Sequence, residues 1–311
     1  MAINFKGRCL LSLNDLSSDE VLLLLEGARV WKQQFYAGNK PPVLKGKTLG
    51  MIFQKPSTRT RVSFEVAMHQ LGGQALYLGA NDLQLKRGET IADTARVLSR
   101  YVDALIARVY AHQDVVDLAQ YATIPVINAL SDYSHPCQGL ADLFTILEKK
   151  GTFKDIKITY LGDGNNVVHS LMFGIAKVGG YLCVATPKGY EPNAQVVALA
   201  NAEAQKTKAR IEIVTDPIKA VREADVIYTD VWTSMGQEAE HDQRIQIFKP
   251  YQINAQLTAQ AKSDALIMHC LPAHRGEEIT DEVIDGPNSI VWEQAENRLH
   301  LQKALLVQLM R

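Results

Sequence analysis

Short apolar runs alternate along this chain with longer stretches whose apolar residues recur every three or four positions. The runs Leu49–Phe53, Ala75–Leu78, Ala104–Val109 and Pro125–Asn128 predict strands, and the spacing predicts helices over Arg59–Gln70, Thr90–Tyr101 and Asp114–Tyr121. Ahead of them, Ser17-Ser18-Asp19-Glu20 reads as a capping box opening an amphipathic helix to about Tyr36, which Gly38 and Pro41-Pro42 end. A second series predicts strands over Ile156–Leu161, Tyr181–Ala185, Ile211–Val214, Val226–Thr229, Leu266–Met268 and Ser289–Trp292, with helical stretches after most of them. A last helix is predicted over Gln294–Met310. Such alternation argues for parallel sheets covered by helices. Lys149-Lys150-Gly151, at the end of a helical stretch Gln138–Lys149, marks a seam between two halves of similar architecture. The fold class expected is α/β, two Rossmann-like domains whose ligands sit beyond the carboxyl ends of the strands.

Composition narrows the class. The chain has 311 residues, enough for two domains, and 47% hydrophobic against 22% charged residues fits a soluble globular protein. With 33 Lys+Arg against 34 Asp+Glu, the net charge of −1 argues against nucleic-acid binding, so any anion site must come from local placement of charge. Cys9, Cys137, Cys183 and Cys270 show no CxxC spacing, which argues for reduced thiols in the cytoplasm rather than disulfides or structural zinc. The N-terminus lacks a targeting pattern, and Val21–Leu25 is too short to span a bilayer, so no membrane association is expected.

Polar clusters follow the strands. After Leu49–Phe53, Ser57-Thr58-Arg59-Thr60-Arg61 opens a helix with two kinds of hydroxyl, a guanidinium and unpaired N–H groups, which suits one small phosphate. The alternative is an ordinary capped surface helix. Arg59 and Arg61, two apart, do not face one ligand, so Arg59 is the expected anion contact and Arg61 a brace. Arg108 ends its strand, where it either reaches the same crevice or sits at a sheet edge in water. His135-Pro136-Cys137-Gln138 offers an imidazole and an amide that could polarise and orient a carbonyl, with Cys137 read as packing. Gly162-Asp163-Gly164-Asn165-Asn166-Val167 is like a dinucleotide turn, but Val167 and the lack of an acid near Thr186 argue against NAD; Asn166 could hold a carboxylate, or both Asn residues could only cap the helix. Asp230, at a strand end, could pair with a ligand ammonium, with Ser234 and the backbone near Gly236 adding contacts. Cys270 beside His269 and His274 is a site residue, a zinc ligand or packing, and no ligand cluster is evident that would favour a metal. Arg298, on the last helix, is either a further site cation or solvent-exposed.

Taken in order, Ser57-Thr58-Arg59-Thr60-Arg61, Arg108, His135-Pro136-Cys137-Gln138, Asp230 with Ser234-Met235-Gly236, and His269-Cys270-Leu271-Pro272 resemble the aspartate/ornithine carbamoyltransferases over nearly the whole chain. Ser-Met-Gly with His-Cys-Leu-Pro is similar to the ornithine-using branch. The resemblance implies a carbamoyl-phosphate-binding domain over 1–149, joined by a C-terminal helix 293–311 that packs back on it, and an ornithine-binding domain over 150–292. It also implies a homotrimer and no metal or organic cofactor. Carried over by motif, Ser57, Thr58, Arg59 and Thr60 hold the phosphate, and Arg108, His135, Pro136, Cys137 and Gln138 the carbamoyl end. Gln84 reaches a neighbouring subunit's site. Cys270, Leu271 and Arg298 close around carbamoyl phosphate. Asn166, Asp230, Ser234 and Met235 contact L-ornithine. The catalytic set implied is Arg108, His135, Asp230 and Cys270, for transfer of a carbamoyl group to the δ-amine. Competing expectations are a sibling using putrescine, acetylated ornithine or aspartate, an NAD oxidoreductase, and a noncatalytic anion-binding protein.

Overall fold

The computed structural model describes residues 3–84, 88–233 and 238–311. By contact the chain divides into two compact units, Met1–Phe144 with Asn297–Arg311, and Thr145–Glu296. The division falls inside two helices, Pro136–Lys150 and Val291–Met310. Gly151 therefore marks where the first of these helices ends.

The first unit is built on β1 (Thr48–Phe53), β2 (Gln74–Gly79), β3 (Ala104–Arg108) and β4 (Val126–Leu130), all parallel in the order β2-β1-β3-β4. Every residue of β3 is buried, as expected for an inner strand of a sheet covered on both faces. The strand predicted from Pro125 starts at Val126 instead. Pro125 has no N–H for the ladder, and its carbonyl accepts from Leu105 N–H. Helix Ser18–Tyr36 carries the predicted capping box, Ser17 with Glu20. Helix Thr58–Gln70 buries Phe64, Ala67 and Met68. Each large side chain contributes ~1.5–3 kcal/mol, against about 1 kcal/mol for an N-cap, so packing holds the helix and the cap sets where it starts. The two chain ends meet in this unit, where Gly7 N–H donates to Leu309 O at 3.2 Å.

The second unit holds β5 (Lys157–Leu161), β6 (Tyr181–Ala185), β7 (Arg210–Val214), β8 (Val226–Thr229) and β9 (Leu266–His269), parallel in the order β7-β6-β5-β8-β9. The strand predicted at Ser289–Trp292 does not form. Ser289 makes only an isolated bridge to Ile267, and helix Val291–Met310 starts three residues before the predicted Gln294. Two backbone bonds, Ile267 N–H to Asn288 O and Ile290 N–H to Ile267 O, make the one bridge and go no further, and Trp292 is exposed, so this stretch seeds a helix rather than a ladder.

Both sheets reverse direction of growth once. The chain passes from β1 to β2 on one side and then to β3 on the other; likewise from β5 through β6 and β7 before β8. Crevices open at such switch points. In the first unit Phe53 pairs with Arg108 at the strand ends, and in the second Leu161 pairs with Thr229, so the polar loops after those four residues are brought side by side.

Candidate active site

At the first switch point, Ser57 Oγ accepts the Thr60 N–H at 3.3 Å and starts helix Thr58–Gln70. This turns the buried Thr60 hydroxyl inward, where its Oγ1 accepts from Arg298 Nη2 at 2.8 Å. Arg298 Nη1 also donates to Gln138 Oε1 and lies 3.5 Å from His135 Nε2. Gln138 Nε2 in turn donates to Asp142 Oδ1 at 2.8 Å. Arg298, His135, Gln138 and Thr60 are all buried, so the solvent-exposed alternative for Arg298 does not hold. Nor is Arg108 an edge residue in water: β3 is an inner strand and Arg108 is buried at its end. Two buried guanidiniums thus lie near His135, where the desolvation they have suffered favours an incoming anion.

His135 is pushed well below the ordinary imidazole range by burial first, then by the charges of Arg298 and Arg108. A neutral imidazole beside two cations can donate one hydrogen bond without adding charge. Cys137 is also buried; its Sγ lies 3.6 Å from Asn128 O and burial pushes its thiol up to about 12, so it packs rather than attacks. Pro136 is the buried first residue of its helix. Arg59 is half-buried and Thr58 exposed on the first turn of their helix, while Arg61 braces as expected, with Nε 3.0 Å from Glu65 and its guanidinium 3.9 Å over Tyr77. Gln84 is exposed in the loop after β2.

At the second switch point the acid and thiol meet. Cys270 Sγ donates to Asp230 Oδ1 at 2.9 Å, Val231 N–H donates to the same oxygen at 2.8 Å, and Asn165 Nδ2 donates to Oδ2 at 2.8 Å. Three donors thus converge on the one Asp230 carboxyl group. Asn165, not Asn166, is the N-cap, its Oδ1 accepting from Val167 and Val168. Asn166 begins helix Asn166–Val178, half-buried. Ser234 and Met235 lie outside the described residues. Leu271, half-buried at φ +58°, donates its N–H to His269 Nδ1 at 2.8 Å, which leaves His269 Nε2 to donate to the buried Glu278 Oε1 at 2.9 Å. The structure does gather Asp230, His269 and Cys270 into a group with metal-ligand character, which the sequence did not disclose. Both His269 nitrogens are already engaged in that hydrogen-bond relay.

Several neighbours went unseen in the sequence. Asp163 Oδ2 pairs with Arg244 Nη2 at 2.7 Å, and Arg244 Nε donates to Trp232 O at 2.6 Å, which braces the loop that follows Asp230. Burial outweighs that cation and raises the Asp163 carboxyl to about 6. Lys55 is buried just before Ser57, its Nζ 4.4 Å from the Tyr110 ring. Only its place after β1 could have flagged Lys55; nothing local marks Arg244.

Comparison with known proteins also divides the chain into two parts. The profile of the aspartate/ornithine carbamoyltransferase carbamoyl-P binding domain matches residues 8–148, and that of the Asp/Orn binding domain matches residues 154–309. An ornithine carbamoyltransferase of Pyrococcus horikoshii is 62% identical over 310 residues, covering 100% of this chain and 98% of that protein. The anabolic ornithine carbamoyltransferase of Pyrococcus furiosus is similar to the same extent, 62% over 310 residues with the same coverage. Among solved structures, the ornithine carbamoyltransferase from Pyrococcus furiosus superposes with a TM-score of 0.97 at 62% identity over 99% of each chain. That from Gloeobacter violaceus gives 0.88 at 50% identity, over 99% of this chain and all of the other. With both halves matched in order and the likeness running end to end, the chain belongs to the aspartate/ornithine carbamoyltransferase family.

Proposed function

We propose that this protein is an ornithine carbamoyltransferase, which moves the carbamoyl group of carbamoyl phosphate to the δ-amine of L-ornithine and yields L-citrulline and phosphate. The observation that carries the reading is the buried Arg298, which is bonded to Thr60 and Gln138 and lies beside His135, three residues in the stretch that matches a carbamoyl-P binding domain. Ser57, Thr58, Arg59 and Thr60 hold the phosphate; Arg108, His135 and Gln138 hold the carbamoyl end, with Pro136 and Cys137 shaping the turn. Gln84 serves the site of a neighbouring subunit. Asn166, Asp230, Ser234 and Met235 hold ornithine, with Cys270 and Leu271 at the reacting amine.

The free δ-amine attacks the carbamoyl carbon, charge gathers on the carbonyl oxygen, and the C–O bond to phosphate breaks. An ammonium has no lone pair, and a free alkyl amine with pKa about 10.4 is mostly charged at neutral pH. Desolvation and neighbouring cations favour the neutral form. His135, Arg108 and Thr60 oppose the developing oxyanion; losing one such donor costs ~3 kcal/mol of transition-state stabilisation. Asp230 and Cys270 orient the amine or accept its proton.

Further features of the reading are a homotrimer, a cytoplasmic location and the direction of arginine synthesis. The first is what the family resemblance implies, the second rests on the scattered cysteines, and the third is supported by a relative named anabolic; among the described residues no helix is long and apolar enough to cross a membrane. The deciding experiment is colorimetric citrulline detection with ornithine, putrescine, acetylated ornithine and aspartate in parallel. Turnover with ornithine alone is expected; preference for another acceptor would replace the reading. Calorimetry on Arg59→Ala should show carbamoyl phosphate affinity lost with the fold intact.

A further inference from the structure

We propose that Lys303 is a modification site, an amine that takes up the carbamoyl group of cyanate ahead of the exposed lysines of the chain. Lys303 lies on helix Val291–Met310, in the part that belongs to the first unit, and is 3% exposed. Its Nζ stands 5.1 Å from the centroid of the Phe35 ring on helix Ser18–Tyr36. His300, one turn earlier, packs on the same ring with centroids 5.3 Å apart. Among the described residues no carboxylate, carbonyl or hydroxyl bonds the Lys303 amine. Lys177, also buried, is held differently, with its Nζ 2.9 Å from Glu203.

A ring face replaces only part of the hydration that an ammonium loses on burial. The one charge that acts on Lys303 from nearby is Lys40, just past the end of the Phe35 helix, and it repels. Burial first, and then Lys40, bring the Lys303 amine down to about 8. At neutral pH about a tenth of it is therefore an uncharged nucleophile, against roughly one part in 2,500 for a free lysine of pKa about 10.4.

Cyanate suits this site on two grounds. Its reactive form, isocyanic acid, is small and uncharged, so it enters where ions are penalised. The product is uncharged as well. The Nζ lone pair attacks the carbon of HN=C=O, the C=N pair shifts to nitrogen, and a proton moves from Nζ to that nitrogen. The result is a carbamoyl-lysine, with every atom kept and nothing oxidised. The cost of a buried ammonium and its repulsion from Lys40 end together. Carbamoyl phosphate is a source of cyanate, since it breaks down to isocyanic acid and phosphate; this source alone rests on the reaction proposed above.

The test adds potassium cyanate to the folded full chain at pH 7 and follows each lysine by peptide mass spectrometry. Lys303 should be carbamoylated roughly tenfold or more faster than the exposed Lys154 and Lys188, a lead smaller than the ratio of uncharged fractions because burial slows entry. The lead should hold below about pH 8 and shrink above it, where only the exposed amines still gain uncharged form. It should vanish in guanidinium chloride, where the packing that sets it is gone. A folded chain in which Lys303 reacts no faster than Lys154 and Lys188, or a lead that survives unfolding, overturns the proposal. No step of the test requires turnover, so it can fail while the citrulline assay succeeds, and the reverse.

Discussion

Asn165 does two jobs with one amide. Its oxygen caps helix Asn166–Val178 and its nitrogen donates to Asp230. The two can be separated. Asn165→Ala removes both and should cost about 1 kcal/mol of stability through the lost cap, together with a raised KM for ornithine. Asn165→Asp keeps the capping oxygen but sets a second carboxylate against Asp230, so any stability lost in denaturant unfolding should come from that repulsion and shrink as pH falls, while KM rises. His135 is the second residue whose surroundings decide its chemistry. Its imidazole is held neutral in the fold, whereas an unfolded His takes a proton below about pH 6.5. The unfolded state then binds more protons, so stability present at neutral pH is lost as pH falls below that value. His135→Gln should flatten that acid limb in urea melts recorded from pH 7.5 to 5, and it should lower kcat by roughly a hundredfold or more. The sequence names both residue types and their positions after strands. It could not say that Asn165 rather than Asn166 is the cap that reaches Asp230, because adjacent residues at a helix start differ only in the backbone angles they adopt.

The strand-to-helix turns are where each site is set. Gly164 lies in the turn after β5, and a Cβ there would meet the backbone of Glu191 and Pro192 at 2.3 Å. No flexible side chain stands in the way that could move aside, so Gly164→Ala must displace one of the two loops. A loss of ~1–3 kcal/mol in chemical unfolding is expected, with ornithine affinity falling more than carbamoyl phosphate affinity in calorimetry. Most elements were legible because their signals are local: the capping box at Ser17, the apolar runs of β1, β3, β6 and β8, and the Ser57 cap. The misreading of Ser289–Trp292 has a physical cause. A run of three apolar residues, Ile290–Trp292, satisfies either period, and only the single bridge available at Ile267 decides against a ladder.

Assembly and connectivity belong to the molecule as a whole. Light scattering should give a mass three times that of one chain, and a monomer would remove the role proposed for Gln84. The contacts that matter most span long stretches of sequence: Arg298 to Thr60 and Gln138, Cys270 to Asp230, and Arg244 to Asp163. By itself the sequence determined the α/β class, the order of strands and helices, and the loops that carry the chemistry, since periodicity, caps and strand ends are written within a few residues. The tertiary structure alone decided that Arg298 and Arg108 are buried, that Asp230 accepts from Asn165 and Cys270, and that Arg244 braces the loop after Asp230. Those outcomes depend on which strands become neighbours at a switch point, and burial and charge act through space rather than along the chain.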